Sequence, residues 1–202
     1  MSNVALRLAR IPVLVVLLGL SVAGCGVNNI PSYEETAKAK WSEVLNQYQR
    51  RADLIPNLVE TVKGFAAQER TVLEEVTKAR ASATQVQLQL PPDILTNPDA
   101  FKKLQEAQAQ LSGALGRLLA VSERYPDLKS NQNFLALQSQ LEGTENRIAV
   151  ARRDYIEGVR QYNTELRTFP GVIWASTLYK GNKAMETFTV AEDVRKTPQV
   201  KF

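Results

Sequence analysis

The sequence predicts an all-α protein, an antiparallel up-and-down bundle of four helices. We expect a cleaved lipoprotein signal in front of the bundle and an irregular tail behind it. Through most of residues 33–170, apolar residues recur at alternating spacings of three and four, which places them on one stripe of a helix. Proline-containing segments divide this region, and an apolar run that ends at Cys25 precedes it.

The first 24 residues have the parts of an export signal. Arg7 and Arg10 are basic with no acid nearby, and residues 11–23 are almost wholly apolar. This run is shorter than the ~20 residues that cross a bilayer as a helix. It ends in Val22-Ala23-Gly24-Cys25, which resembles a bacterial lipobox. We expect cleavage before Cys25 and lipid on its thiol; an uncleaved signal anchor with an incidental cysteine is the alternative.

The lipid on Cys25 would hold the protein on a membrane, facing the periplasm or the cell exterior. Gly26 stands where Asp would retain a lipoprotein at the inner membrane, so the outer membrane is favoured if the cell is Gram-negative. Residues 25–32 are expected to form a short spacer between the lipid and the bundle.

Composition argues against most catalytic chemistry. The chain has no histidine, and Cys25 is its only cysteine, which removes Ser-His and Cys-His nucleophilic sites and the common zinc sites. The formal net charge is +4, without the concentrated basic stripe that nucleic acid requires. We therefore predict no enzymatic activity, no cofactor, no metal site and no nucleic-acid partner.

The first periodic segment, residues 33–85, fits either one kinked helix or two helices. One heptad phase continues through Pro56, which favours a single helix. A break near Ala52-Asp53 would give four helices of comparable length, with Asp53 as a cap and Pro56 in the first turn, where its missing N–H is harmless. We favour the break at Asp53.

Two further helices follow. One runs from about Asp99 to Arg124, capped by Asn97 or Asp99. The other begins after Ser130, a candidate N-cap, and ends at residues 169–171, whose sequence is Phe-Pro-Gly. Its stripe has a row of large residues and a row of small ones that includes Thr144, Ala151 and Gly158.

Residues 171–202 have no helical stripe and are expected to be irregular. The final residues, Val200-Lys201-Phe202, alternate apolar and polar and end in a free carboxylate. Such a tail can add to a sheet edge while a nest of N–H groups binds its carboxylate, as in PDZ domains. Val200 and Phe202 are therefore candidate partner-binding residues.

Long runs of the sequence resemble the LemA family. They include WSEVLNQYQRRADLIPNLVETVKG at 41–64, LSGALGRLLAVSERYPDLK at 111–129, and the segments at 133–134, 141–148 and 151–155. The resemblance covers most of residues 41–170 and departs at Gln68, where the family often has His. It implies a membrane-attached up-and-down four-helix bundle, which supports the break at Asp53, and it implies no defined activity.

Two groups of polar residues are candidates for function or for internal pairing. Arg51 and Glu69 interrupt the apolar stripe of the first segment, and Glu145 is a possible cross-helix partner for Arg51. A second candidate surface consists of polar residues expected at helix junctions, which most often cap helix ends: Asp53, Asn57, Tyr125, Asp127, Lys129 and Asn131.

These features predict a lipid-anchored, non-enzymatic scaffold or adaptor for another membrane or periplasmic protein. One alternative is a carboxylate-dependent cell-wall hydrolase, which two acids converging in a cleft would favour. The other is a small-ligand-binding bundle with a cavity beside Thr144, Ala151 and Gly158.

Overall fold

The computed structural model describes residues 26–188; the signal sequence, Cys25, Val200 and Phe202 lie outside the described residues. The described part contains six α-helices, a 3-10 turn at Ile94–Thr96 and no strand, which confirms the predicted all-α class. The helices are α1 (Asn29–Phe65), α2 (Arg70–Leu88), α3 (Pro98–Ser122), α4 (Pro126–Lys129), α5 (Gln132–Glu165) and α6 (Gly171–Thr177).

The described residues form two compact units. The first unit comprises residues 26–37 and 158–185, and the second comprises residues 38–157 and 186–188. The core of the second unit is built from the apolar stripes of α1, α2, α3 and α5. Its most buried apolar members include Ile55, Leu58, Val62, Val76, Leu111, Leu118, Phe134 and Leu141.

Side-chain contacts give the directions of the helices in the second unit. Arg80 of α2 contacts Ala52 of α1 and Gln87 contacts Leu45, so these two helices run antiparallel. In α2 and α3, Arg117 pairs with Glu75 and Tyr125, just after α3, bonds to Glu69, just before α2, which is again an antiparallel arrangement.

The predicted break at Asp53 is wrong. α1 runs without interruption for 37 residues with Pro56 inside it, and the chain turns at residues 66–69 instead. Pro56 has no N–H to donate to the carbonyl four residues earlier, that of Ala52. Arg80 Nε of α2 donates to that carbonyl at 2.7 Å. A neighbouring helix thus supplies the hydrogen bond that Pro56 removes from α1.

Three other predicted boundaries also change. α1 begins at Asn29, so the spacer is shorter than residues 25–32. Asn131, rather than Ser130, caps α5, because its Oδ1 accepts a hydrogen bond from the Phe134 N–H at 3.0 Å. The predicted irregular tail begins with a helix, α6.

The first unit holds the start of α1, the end of α5 and α6. A Cβ added to Gly158 would lie 3.4 Å from Ala37 Cα, so the glycine lets α5 approach α1 closely. Asn163 and the backbone of Met185 exchange two hydrogen bonds, both at 2.9 Å. The Asn163 side chain thus holds the backbone at Met185, after α6, to α5.

Candidate functional site

The most unusual polar group of the second unit is Arg51, whose side chain is 1% exposed. Its Nη1 donates to Glu145 Oε1 and to Ser112 Oγ, both at 2.8 Å. Its Nη2 donates to the Gln108 side chain. A buried guanidinium is stable only when most of its donors have acceptors, and here α3 and α5 provide them.

The structure therefore places Glu145, the partner that we proposed from sequence, beside Arg51. Glu145 is 41% exposed, so this ion pair reaches from the core to solvent. Gln108, which is 2% exposed, was visible in sequence only as a polar residue within an apolar stripe. Ser112 could not be identified from the sequence, because its contact with Arg51 depends on which side of α3 packs against α1.

Glu69 belongs to a second polar cluster, which joins the α1–α2 turn to the end of α3. Glu69 Oε1 accepts a hydrogen bond from the Tyr125 hydroxyl at 2.8 Å, and Glu69 Oε2 lies 3.1 Å from Arg124 Nη2. Gln68 Nε2 donates to the Tyr125 hydroxyl oxygen at 3.0 Å. The hydrogen bond to the Glu69 carboxylate raises the pKa of Tyr125, because it stabilises the protonated phenol.

The residues expected at helix junctions do not all lie at junctions. Tyr125 and Asp127 flank the start of α4, whereas Asp53 and Asn57 lie inside α1. Asp53 accepts a hydrogen bond from Gln49 at 2.8 Å on the same helix. The helix-junction assignment of Asp53 and Asn57 is therefore wrong, for the same reason as the predicted break.

An aromatic cluster that sequence reasoning did not find lies elsewhere in the second unit. The Phe188 ring packs against Phe101 at a centroid distance of 5.1 Å, Tyr155 at 5.6 Å and Trp41 at 6.0 Å. The Arg152 guanidinium lies 4.9 Å from the Phe188 ring centre, within cation–π range. Phe188 follows no periodic pattern, so only the folded structure could place it here.

Backbone hydrogen bonds hold the chain just before Phe188. The Glu186 N–H donates to the Leu95 carbonyl at 2.7 Å, and the Glu186 carbonyl accepts from the Tyr155 hydroxyl at 2.8 Å. Burial raises the pKa of Tyr155, so its hydroxyl stays protonated and remains a donor. Residues 186–188 are thereby fixed to the second unit.

A surface cleft of about 490 Å³ lies between α3 and α5. Its floor is apolar, with Leu115, Leu119 and Leu141, and Glu142 and Glu145 both line it. Glu145 is already bonded to Arg51. The exposed Glu142 accepts a hydrogen bond from Gln138 Nε2 at 3.0 Å on the same helix, so each carboxylate has a partner.

Within residues 26–188, no group of three or more acidic side chains is arranged to hold a metal ion. In the same range, no helix is both long and apolar enough to cross a membrane. The small residues Thr144 and Ala151 are buried.

Comparison with known proteins gives a consistent result. The LemA family model matches residues 40–202. Magnetosome proteins MamQ 1 and MamQ 2 of Paramagnetospirillum magneticum are each 30% identical over 186 residues, covering 81% of this chain and 68% of the relative. Magnetosome protein MamQ of Magnetospirillum gryphiswaldense is 29% identical over 150 residues, covering 67% of this chain and 55% of the relative. The resemblance noted in the sequence is confirmed, and the chain belongs to the LemA family.

Proposed function

We propose that this LemA-family protein is a lipid-anchored, non-enzymatic scaffold or adaptor for another membrane or periplasmic protein. We further propose that α1, α2, α3 and α5 form an antiparallel up-and-down four-helix bundle. The observation that carries the anchoring is the lipobox-like sequence Val22-Ala23-Gly24-Cys25, and α1 begins at Asn29, only four residues after Cys25. A lipid on Cys25 would therefore hold the folded chain directly against the membrane.

The Arg51 network supports a structural role for the bundle interior. The guanidinium donates to Glu145, Ser112 and Gln108 through its two Nη atoms, so these polar groups are bonded to one another, while its buried Nε has no partner among the described residues. A catalytic centre instead needs polar groups that are presented to a substrate.

The relatives support the same proposal, a non-enzymatic scaffold or adaptor. Their names place them with a cellular structure, the magnetosome, and mention no reaction. We propose by analogy that this chain works as part of a larger cellular structure. Its candidate partner-binding residues are Val200 and Phe202 at the C-terminus, and Tyr125 and Asp127 at the α3–α4 junction.

The anchor is tested by labelling growing cells with an alkyne analogue of palmitate. We expect the label on the wild-type chain and not on Cys25→Ala, which should also lose the cleavage. Because Cys25 is the only cysteine, no other thiol can take the label. Equal labelling of both chains would contradict lipidation at Cys25.

The adaptor role is tested by crosslinking in intact cells, followed by identification of the attached protein. We expect one discrete partner, whose yield falls when Phe202 is deleted if the C-terminal carboxylate is recognised. A matched chain with Lys103→Ala, an exposed residue of α3, keeps the C-terminus and should crosslink as the wild type does. Absence of any crosslinked partner under conditions that capture known envelope complexes would contradict the adaptor role.

One observation favours a second candidate, a carboxylate-dependent cell-wall hydrolase. Glu142 and Glu145 line the same cleft, as the two acids of a glycosidase do. The engagement of Glu145 by Arg51 argues that this acid serves the core. Release of soluble fragments from purified cell wall, abolished by Glu142→Gln, would establish the hydrolase instead.

A further inference from the structure

The first unit carries a group of exposed apolar side chains between residues 169 and 178. Phe169 is 76% exposed, Leu178 65%, Ile173 45% and Val172 41%. Single exposed apolar residues are common on soluble proteins, whereas a contiguous group of large ones usually marks an interaction surface. Residues 166–183, which carry these side chains, are therefore a candidate interaction surface.

The charge of this surface indicates which occupant it fits. Residues 166–183 contain three basic side chains, Arg167, Lys180 and Lys183, and no acidic residue. All three are exposed. Trp174 and Tyr179 are partly exposed in the same segment. Apolar side chains with Trp, Tyr and cations around them are typical of surfaces that lie in the headgroup region of a bilayer.

The position of this surface relative to the anchor gives the second argument. A Cβ added to Gly26 would lie 3.4 Å from Pro170 Cγ, so the residue that follows Cys25 touches the turn before α6. Asn29 Nδ2 donates to Glu165 Oε1 at 3.1 Å, which holds the start of α1 to the end of α5.

The turn that presents the surface is tightly folded. A Cβ added to Gly171 would overlap the Glu165 carbonyl oxygen, so only glycine fits there. Close packing of Gly171 on Glu165 fixes the start of α6 against the end of α5, and Gly26, one residue after the proposed lipid, lies beside Pro170.

We propose that residues 166–183 form a bilayer-docking surface that lies in the headgroup region beside the lipid anchor. Phe169 and Leu178 enter the acyl boundary, and Arg167, Lys180 and Lys183 bind anionic phosphate groups of the lipids. The inference rests on the proposed lipidation of Cys25, which would bring this bilayer to the surface.

The docking surface would orient the protein more than retain it. Two or three acyl chains already anchor a lipoprotein stably, so loss of the surface should not release the chain from membranes. A test must therefore measure contact between this surface and lipid, and retention alone is uninformative.

The chain has two tryptophans, which provide such a measurement. The mature lipidated chain is reconstituted into protein-free vesicles of phosphatidylethanolamine and phosphatidylglycerol, with or without brominated acyl chains that quench tryptophan. Trp174 belongs to the docking surface, whereas Trp41 is 6% exposed in the aromatic cluster of the second unit. We expect strong quenching in the wild-type chain and loss of most of it in Trp174→Phe, in which only Trp41 remains.

The apolar contacts are tested with Phe169→Glu combined with Leu178→Glu. We expect this chain to stay in the membrane fraction and to lose the quenching of Trp174. Leu88→Glu is the matched control, because Leu88 is 81% exposed on α2 and lies outside the surface. It should be quenched as the wild type is.

The outcomes separate this inference from the proposed function. Absence of palmitate label on the wild-type chain would refute the anchor and this inference with it. Label with equal quenching in the wild type and Trp174→Phe would refute the docking surface alone. Quenching of Trp174 that requires native membranes, and is absent from protein-free vesicles, would assign the surface to a protein partner and overturn the proposal.

Discussion

Replacing Arg80 with Met tests how α1 tolerates its proline. Arg80 Nε donates to the Ala52 carbonyl at 2.7 Å, which is the carbonyl that Pro56 leaves without a helical donor. Met keeps most of the aliphatic stem of Arg80 and removes only the donor. We therefore expect a loss of stability that depends on the presence of Pro56.

The magnitude follows from the burial of the two groups. A hydrogen bond from a charged group contributes about 1.5–3 kcal/mol, and an unsatisfied buried carbonyl costs about 1–3 kcal/mol. Ala52 is 5% exposed, but Arg80 is partly exposed, so water can partly replace the guanidinium. We expect Arg80→Met to lower the free energy of unfolding by about 1–2 kcal/mol.

Pro56→Ala supplies the missing N–H from within α1. In the Pro56→Ala background, the Ala52 carbonyl has a helical donor whether or not Arg80 is present. We then expect Arg80→Met to cost less than about 0.5 kcal/mol, which gives a coupling free energy of roughly 1 kcal/mol between the two positions.

The four chains are compared by urea denaturation followed by far-ultraviolet circular dichroism. Arg117→Met is the matched control, because Arg117 pairs with Glu75 at 2.9 Å while both side chains are about half exposed. Exposed ion pairs contribute about 0–1 kcal/mol, so this variant should be the milder one. An equal loss from Arg80→Met with and without Pro56 would refute the reasoning.

Three other contacts lead to predictions that similar measurements can check. Arg51→Ala should lower the free energy of unfolding by about 3–5 kcal/mol. In the double mutant with Glu145→Ala, urea denaturation should show a loss about 1 kcal/mol smaller than the sum of the two single losses. This coupling is modest because Glu145 is partly exposed. Glu69→Gln should lower the pKa of Tyr125 towards its ordinary value of about 10, as measured by ultraviolet titration. The hydrogen bond to the Glu69 carboxylate favours the protonated phenol and is lost as pH rises through the raised pKa. Gly158→Leu should lower the melting temperature and cost about 1–3 kcal/mol, because α1 lies against Gly158.

Each of these expectations can fail in a defined way. Additive losses would show that Arg51 and Glu145 do not act as a pair. An unchanged titration of Tyr125 in Glu69→Gln would remove the carboxylate as the cause of the raised pKa. Gly64→Leu is the control for Gly158→Leu, since no atom lies within 4 Å of a Cβ at Gly64; equal effects of both substitutions would contradict the close approach of α5 to α1.

Hydrophobic periodicity was sufficient to predict the helical class and the regions of α3 and α5. It reports which residues face a core, and that information is local. The heptad phase that continues through Pro56 favoured a single helix, but the donor that compensates for the proline, Arg80, belongs to a different helix and was not predictable in this way. The expected match of helix lengths and the capping chemistry of Asp53 favoured the break, whereas in the folded chain Arg80 supplies the hydrogen bond that Pro56 removes.

The polar and aromatic contacts show the same limit. Arg51 was recognisable in the sequence as a charge within an apolar stripe. Its acceptor Ser112 was not, because only the orientation of α3 in the folded chain brings Ser112 to Arg51. Phe188 lies in a segment without any repeat, and its position depends on backbone hydrogen bonds of Glu186. Side-chain chemistry predicted that buried partners were needed, and the folded chain determined which ones.

The Arg51 network also bears on how the helices of the second unit choose their alignment. Apolar stripes repeat every seven residues, so sliding α3 or α5 by about 10.5 Å along its axis would again set apolar residues against apolar residues. The same slide would move either Gln108 and Ser112 or Glu145 away from the buried guanidinium and leave it with too few acceptors, at a cost of several kcal/mol. A single charged residue therefore selects one register among those that the apolar stripes permit.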